Sequence, residues 1–249
     1  MDLDLDGRVA IVTGASRGLG RAAAEALVAE GVSVFAVARS GAELEKLAAT
    51  APDRIAAEVV DMRDADALAA LADRAVERFG RLDIVINNAG IAPAGRFIDQ
   101  PQEQWDEVFA VNVRAPAVLS RAAGKHFLAQ RSGKIINVAS TSGINGKPTL
   151  VSYSSSKGAV LQFTKALAGE WGRFGIQVNA IAPGAFETDA QAAVLEDAEM
   201  LTRRLRKIPA GRMGRVEEFG PLVCYLASPA SDFMTGSVVV IDGGEVSKL

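Results

Sequence analysis

Seven short apolar runs punctuate this chain, and stretches with helical spacing separate them. They are Val9–Val12, Val32–Val37, Ile55–Val60, Leu82–Ile86, Gly133–Ala139, Ile176–Ile181 and Gly236–Ile241. Runs this short and this continuously apolar suit strands buried on both faces. A helix between successive strands imposes a crossover, so the predicted fold is α/β, a doubly wound, seven-stranded, mostly parallel sheet with helices on both faces. Such crossovers are right-handed, and the ligand crevice opens at the carboxyl ends of the strands. Polar clusters fall just after the runs, at Thr13–Gly20, Arg39, Asp61, Asn87–Gly90, Ser140 and Pro183-Gly184. The fold would therefore gather them along one edge of the sheet, where an active site belongs.

The first run leads into Thr13-Gly14-Ala15-Ser16-Arg17-Gly18-Leu19-Gly20, and Arg21–Glu30 then reads as a helix ended by Gly31. Strand, glycine turn and helix form the context of a dinucleotide site. The glycine spacing is not G-x-G-x-x-G, but the physics is the same. The turn is tight, the backbone can approach a pyrophosphate closely, and amides at a helix start face the anion. Sites for NAD place Asp or Glu at the end of the second strand, where this chain has Ala38-Arg39-Ser40. Arg17 and Arg39 suit the 2′-phosphate of NADP, because a guanidinium grips phosphate through two parallel hydrogen bonds. Either arginine singly reads as a solvated surface charge, but together at these places they favour NADP(H).

Four more helices are expected at Ala42–Thr50, Asp64–Phe79, Gln102–Leu128 with an interruption near Pro116, and Leu150–Phe174. The last carries Tyr153-Ser154-Ser155-Ser156-Lys157. Residues at i and i+4 share one helical face. A phenol loses its proton near pH 10, and a cation one turn away should lower that value towards what acid–base catalysis requires. By itself the pair reads more plainly as a half-buried tyrosine beside a surface lysine.

Composition removes several classes. A formal net charge of -3 offers no general attraction to nucleic acid. Cys224 is the only cysteine and lies in an apolar run, so it is expected to be buried, with no intrachain disulfide. His126 is the only histidine, expected on the outer part of a helix, and no metal site is anticipated. No apolar run reaches the roughly 18 residues of a membrane span. The acidic start Met1–Asp6 differs from the basic start of a signal peptide. The C-terminal Ser247-Lys248-Leu249 spells a peroxisomal address, with meaning only in a eukaryotic source; the expected location is otherwise cytoplasmic.

Taken in order, Thr13-Gly14-x-x-x-Gly18-x-Gly20, Asn87-Asn88-Ala89-Gly90, Asn112, Ser140, Tyr153-x-x-x-Lys157 and Pro183-Gly184…Thr188 resemble the short-chain dehydrogenase/reductase family from Gly7 to Gly244. The resemblance implies one Rossmann-type NADP-binding domain over residues 1–249. It implies an oxidoreductase that interconverts a ketone and a secondary alcohol. Tyr153 would donate or accept the proton. Lys157 would lower its pKa and bind the nicotinamide ribose, Ser140 would polarise the carbonyl, and Asn112 would link Lys157 to solvent through its backbone and a water. Gly14, Ser16, Arg17, Gly18, Leu19 and Gly20 would border the pyrophosphate and adenosine ribose. Arg39 and Ser40 would meet the 2′-phosphate, while Asp61 and Met62 would flank adenine. Asn88, Ala89 and Gly90 would back the adenosine, and Pro183, Gly184 and Thr188 would meet the carboxamide.

Substrate choice should lie in a lid over about residues 185–213, a length at which loops are usually functional. Arg203, Arg204, Arg206 and Lys207 there would either meet an anionic substrate or form a solvated face balancing Glu196, Asp197 and Glu199, with the solvated face preferred. Ser142, Asn145 and Lys147 should rim the pocket. Pro209–Gly214 resembles gluconate 5-dehydrogenases, with 3-oxoacyl-acyl-carrier-protein reductases close in plan. A nucleotide sensor on the same fold is the alternative from outside the enzymes. The resemblance also implies a homotetramer, built on the long helices and on the C-terminal strand.

Overall fold

The computed structural model describes residues 3–247, so Lys248 and Leu249 of the terminal tripeptide, and Met1 and Asp2 of the acidic start, lie outside it. Seven strands form one sheet in the order β3-β2-β1-β4-β5-β6-β7. They are β1 Val9–Thr13, β2 Ser33–Ala38, β3 Ile55–Val59, β4 Ile84–Asn87, β5 Gly133–Val138, β6 Ile176–Pro183 and β7 Val238–Ile241. Every neighbouring pair is parallel. Chain order reverses between β1 and β4, which opens a crevice at their carboxyl ends.

Alternation along the strands explains why both faces must be covered. Ala10, Val12, Val34, Ala36, Ile84, Ile86 and Ile136 point to one side. There they meet Ala23, Ala24 and Leu27 of α1 (Gly18–Ala29), Leu44 and Leu47 of α2 (Gly41–Thr50), and Val223, Cys224 and Leu226 of a later helix. Val9, Ile11, Phe35, Val37, Val85 and Ile135 point to the other side. They pack on α3 (Ala65–Phe79) through Leu68, Leu71, Ala72 and Ala75, and on a further helix through Leu119, Ala123 and Phe127. Asp64 starts α3 as expected, its carboxylate accepting the amides of Asp66 and Ala67.

The expected helix Gln102–Leu128 is three pieces: α4 Gln102–Phe109, a π-helical turn Ala110–Arg114, and α5 Ala115–Gln130. The break precedes Pro116 rather than falling on it. Pro116 sits in the first turn of α5, which continues directly from the π-helical turn, so its missing N–H leaves a carbonyl of that turn without a donor. The Tyr–Lys helix, α6, runs Val151–Trp171. The lid holds α7 (Ala192–Glu196) and α8 (Ala198–Leu205), and α9 spans Gly220–Ala227. Cys224 is buried, and burial pushes its thiol up to about 12. His126 sits on α5 with Nε2 2.7 Å from Asp73 of α3. Among the described residues no helix is long and apolar enough to cross a membrane.

Candidate active site

The sheet brings the polar clusters to one edge. β1 ends at Thr13, whose hydroxyl accepts the amides of Asn88 (3.0 Å) and Ala89 (3.1 Å) from the end of β4. Asn88 returns the tie through Nδ2, donating to the Thr13 carbonyl at 2.9 Å and the Gly14 carbonyl at 3.3 Å. The glycine turn is thus braced from the neighbouring strand, a role the sequence shows only as a polar pair.

Gly14 and Gly18 take φ of +67° and +55°, which a side chain rarely adopts. A Cβ on Gly20 would strike the Gly14 carbonyl oxygen. Arg17 caps α1 without a side-chain hydrogen bond, and the first turn holds no acidic residue. The amides there face open space with a partial positive charge. Gly14 N–H donates to the Val37 carbonyl at 2.7 Å, so the turn and the end of β2 are adjacent. Arg17 and Arg39 rise exposed from these two ends, and neither has a hydrogen-bond or ion-pair partner among the described residues. A glycine cradle, an open helix start and two unpaired guanidiniums fit a dinucleotide carrying an extra phosphate. Ser40, beside Arg39, is exposed as well.

Two adenine-side expectations need refinement. Asp61 is bound by Arg63 at 2.6–3.1 Å, which holds its carboxyl down to about 2, so that carboxylate is already engaged. Met62 is 5% exposed and its side chain belongs to the core with Val60 and Leu68. Across the crevice, Pro183 ends β6, and a Cβ on Gly184 would strike Asp242. Thr188, expected at the carboxamide end, stands with its methyl 3.5 Å from where a Gly18 Cβ would be.

The chemical centre assembles from β5, the π-helical turn and α6. Ser140 follows β5 and is buried; its hydroxyl accepts the Ser142 amide at 3.1 Å, and the side chain is near enough to Tyr153 to oppose the rise in its phenol pKa. Lys157 lies one turn below Tyr153, its Nζ 5.8 Å from the ring centre and donating to the Val138 carbonyl at 2.6 Å. Asn112 is 1% exposed. Its Oδ1 accepts Ile91 N–H at 2.9 Å, and its Nδ2 donates to the Ile91 carbonyl at 2.9 Å and to Ser156 Oγ at 3.0 Å. Asn112 therefore ties the Gly90 loop to α6. Pro116, four residues on, has no N–H to offer the Asn112 carbonyl. A Cβ on Gly90 would lie 3.3 Å from Asn112 Oδ1 and 3.5 Å from Lys157 Nζ, so the three groups converge. Ser156 and Thr13 complete the scaffold; Thr13 opens the glycine motif, while Ser156 carried no signal beyond its polarity.

One electrostatic expectation is overturned. Burial dominates Tyr153 and pushes its phenol above the ordinary value, while the Ser140 hydrogen bond opposes this; Lys157 is not among the causes. Burial alone pushes the Lys157 ammonium down to about 8. A folded-state value below the unfolded value of 10.5 means that, between about pH 8 and pH 10, the unfolded chain holds a proton the folded one has released. Stability should therefore rise with pH through that window and fall back as pH drops through 8. The raised Tyr153 value acts oppositely, but only above its ordinary 10.0. Urea unfolding from pH 7 to about 9.5 should show wild type gaining on Lys157→Met with a slope approaching about 1.4 kcal/mol per pH unit. Parallel curves would mean that no desolvated ammonium is present.

The lid is closed at its base by Phe186 and Gly214, with Glu187 N–H on the Gly214 carbonyl at 2.8 Å and Gly214 N–H on the Ala185 carbonyl at 2.9 Å. Ala185, Ile208 and Met213 form its own small core with Leu201 and Leu205. Its basic group does not form one solvated face. Arg204 leaves the acidic lid residues and grips Glu245 of the C-terminal tail through two bonds, 2.7 and 2.9 Å. Asp197 instead caps α8. Arg206 and Lys207 line a cavity of ≈ 360 Å³ together with Asn145 and Lys147. Ser142, expected on the rim, is buried.

Comparison with known proteins agrees with this geometry. A family profile described as enoyl-(acyl carrier protein) reductase matches residues 14–245. A 2-dehydro-3-deoxy-D-gluconate 5-dehydrogenase of Escherichia coli (strain K12) is 37% identical over 248 residues, covering 98% of this chain and 97% of the relative. A 3-oxoacyl-[acyl-carrier-protein] reductase of Thermotoga maritima is 35% identical over 245 residues, covering 97% and 99%. The crystal structure of a gluconate 5-dehydrogenase from Burkholderia cenocepacia, in complex with NADP and tartrate, superposes with a TM-score of 0.94 at 34% identity over 100% of this chain and 98% of that one.

Proposed function

Because the chain belongs to the short-chain dehydrogenase/reductase family, a class of oxidoreductases acting on alcohol and ketone groups, we propose that it reduces the ketone of a sugar acid with NADPH, and oxidises the alcohol in reverse. One observation carries the reading: a desolvated Tyr153 phenol with Ser140 beside it and the buried Lys157 ammonium 5.8 Å from its ring. The bound nicotinamide supplies or takes the hydride. Every other requirement falls on side chains of this protein. Ser140 and Tyr153 present two hydroxyls to one carbonyl oxygen, and Tyr153 gives it a proton as the alcohol forms. The phenolate left behind is costly in a desolvated site, which is the cost the raised phenol value expresses. A lysine near 8 is still mostly protonated at neutral pH, so its charge is available as that phenolate develops. Asn112 ties the loop after Gly90 to α6 through Ser156, next to Lys157 in the chain, and its backbone is the proposed outlet for the proton.

The glycine turn, Arg17 and Arg39 support NADP(H) over NAD(H), and the NADP-bound relative agrees. Residues 1–249 are read as one domain whose lid, about 185–213, selects substrate. The assembly is proposed to be a homotetramer in the cytoplasm. β7 pairs on one side only, with Val240 41% exposed, and Phe97, Ile98 and Val151 are exposed near α4 and α6. Such apolar surface suits contact between copies.

Purified enzyme should consume NADPH on adding 5-ketogluconate, or form NADPH from NADP+ on adding 2-dehydro-3-deoxygluconate, and should not consume NADPH on adding an acetoacetyl thioester. Turnover of the thioester alone would move the assignment to 3-oxoacyl reduction. Hydride transfer to any of them ends the sensor reading.

A further inference from the structure

The proposed sugar-acid substrate has a carboxylate, and the crevice chemistry described so far offers nothing to bind it. The cavity between the loop after β5, the end of the lid and the C-terminal tail does. We propose that this cavity seats the substrate carboxylate, with Lys147 as its ligand and Lys207 as a second positive charge. The proposal rests on the sugar-acid reading and deepens it.

Placement is the first argument. Lys147 donates its own N–H to Ser154 Oγ at 3.2 Å, beside Tyr153. Its ammonium lies 3.4 Å from Thr141 Oγ1, beside Ser140. The residue is therefore anchored next to both groups that would hold the reacting carbonyl. Thr149, two residues on, holds φ +65°, and its carbonyl accepts Gly95 N–H at 2.9 Å. A β-branched residue in that conformation is strained, so the loop carrying Lys147 is held in place by its surroundings.

Charge is the second argument. Lys147, Arg206 and Lys207 line the cavity, and among the described residues Glu245 is the one carboxylate lining it. Arg204 already grips both oxygens of Glu245. Asp242 fixes the tail that presents Glu245, accepting Gly244 N–H at 2.8 Å and Val246 N–H at 2.7 Å. The carboxylate is thus neutralised in place and leaves the lining positive. An ammonium has three donors, and Thr141 and Glu245 occupy two for Lys147. The third is open to an anion. Burial disfavours protonated Lys147; Glu245 opposes this and the charges of Arg204 and Lys207 add to it, and a bound carboxylate would act in the same sense as Glu245. At ≈ 360 Å³ the cavity falls in the range of about 300–1,000 Å³ typical of small-molecule sites. Asn145 adds an amide suited to hydroxyl groups.

The test titrates the enzyme–NADPH complex with D-gluconate and with the uncharged D-glucitol, following nicotinamide fluorescence. Wild type should bind gluconate more tightly than glucitol. Lys147→Met should weaken gluconate by about 10- to 100-fold, the worth of one charge-assisted hydrogen bond, and leave glucitol alone. Lys147→Arg should restore most of the loss. Should Lys147→Met fail to fold, Lys207→Met on the exposed rim provides the same comparison with a smaller loss. Equal gluconate affinity in wild type and the lysine variants, or no preference for the acid in wild type, overturns the proposal. Ketoacid turnover by wild type is read separately. Turnover with unaltered gluconate binding in Lys147→Met leaves the sugar-acid reading standing without this cavity. No turnover removes that reading, while the titration still judges the cavity.

Discussion

Tyr153→Phe is expected to lower turnover by about 10²- to 10⁴-fold, the usual contribution of a positioned acid or base. Binding of NADPH should stay close to that of wild type. The substitution deletes one oxygen and keeps the ring, so the packing of α6 is preserved. What disappears is the phenolic proton source beside Ser140, whose hydroxyl keeps its bond from the Ser142 amide. Lys157 keeps its bond to the Val138 carbonyl and Asn112 keeps its three. The ribose platform is therefore expected to survive. Steady-state kinetics beside a fluorescence titration separate the two effects. A variant that reduces ketones at the wild-type rate would take Tyr153 out of the mechanism.

The second large effect concerns cofactor choice. Arg17→Ala combined with Arg39→Ala should weaken NADPH by about 100-fold and change NADH little. Each guanidinium–phosphate contact is worth about 1.5–3 kcal/mol, and exposure holds these two near the lower end. Two such contacts sum to roughly that factor, since about 1.4 kcal/mol is tenfold. The loss should shrink in high salt, because both side chains stand in solvent. Dissociation constants for both cofactors at two ionic strengths provide the check. Equal losses for NADPH and NADH would show that the arginines serve the fold or the shared pyrophosphate, not the 2′-phosphate.

Particular residues show how far inference from the chain reaches. Asp64 was readable as a cap because capping is local, involving amides two and three residues away. Cys224 was readable as core because its neighbours are apolar. Tyr153 and Lys157 were readable as a pair because helical geometry places i and i+4 together. Their protonation was not. It depends on burial of both groups, which segments remote in the chain bring about. Spacing implied a lowered phenol, and desolvation raised it. Arg204 could not be matched to Glu245 either, since 41 residues separate them and nearer carboxylates were available. The π-helical turn around Asn112 left only Pro116 as a trace, and that placed the break a few residues late.

Sequence by itself determined the order of elements, both covered faces of the sheet, and the gathering of Gly14, Arg39, Asn88, Ser140 and Gly184 along one edge. These follow from periodicity and short-range sterics, which nearby residues dictate. Tertiary structure alone decided which charges are desolvated, which cation meets which carboxylate, and that Lys147, Arg206 and Lys207 share one cavity. Electrostatic energy depends on distance and local dielectric, and neither exists until residues remote in the chain have been brought together.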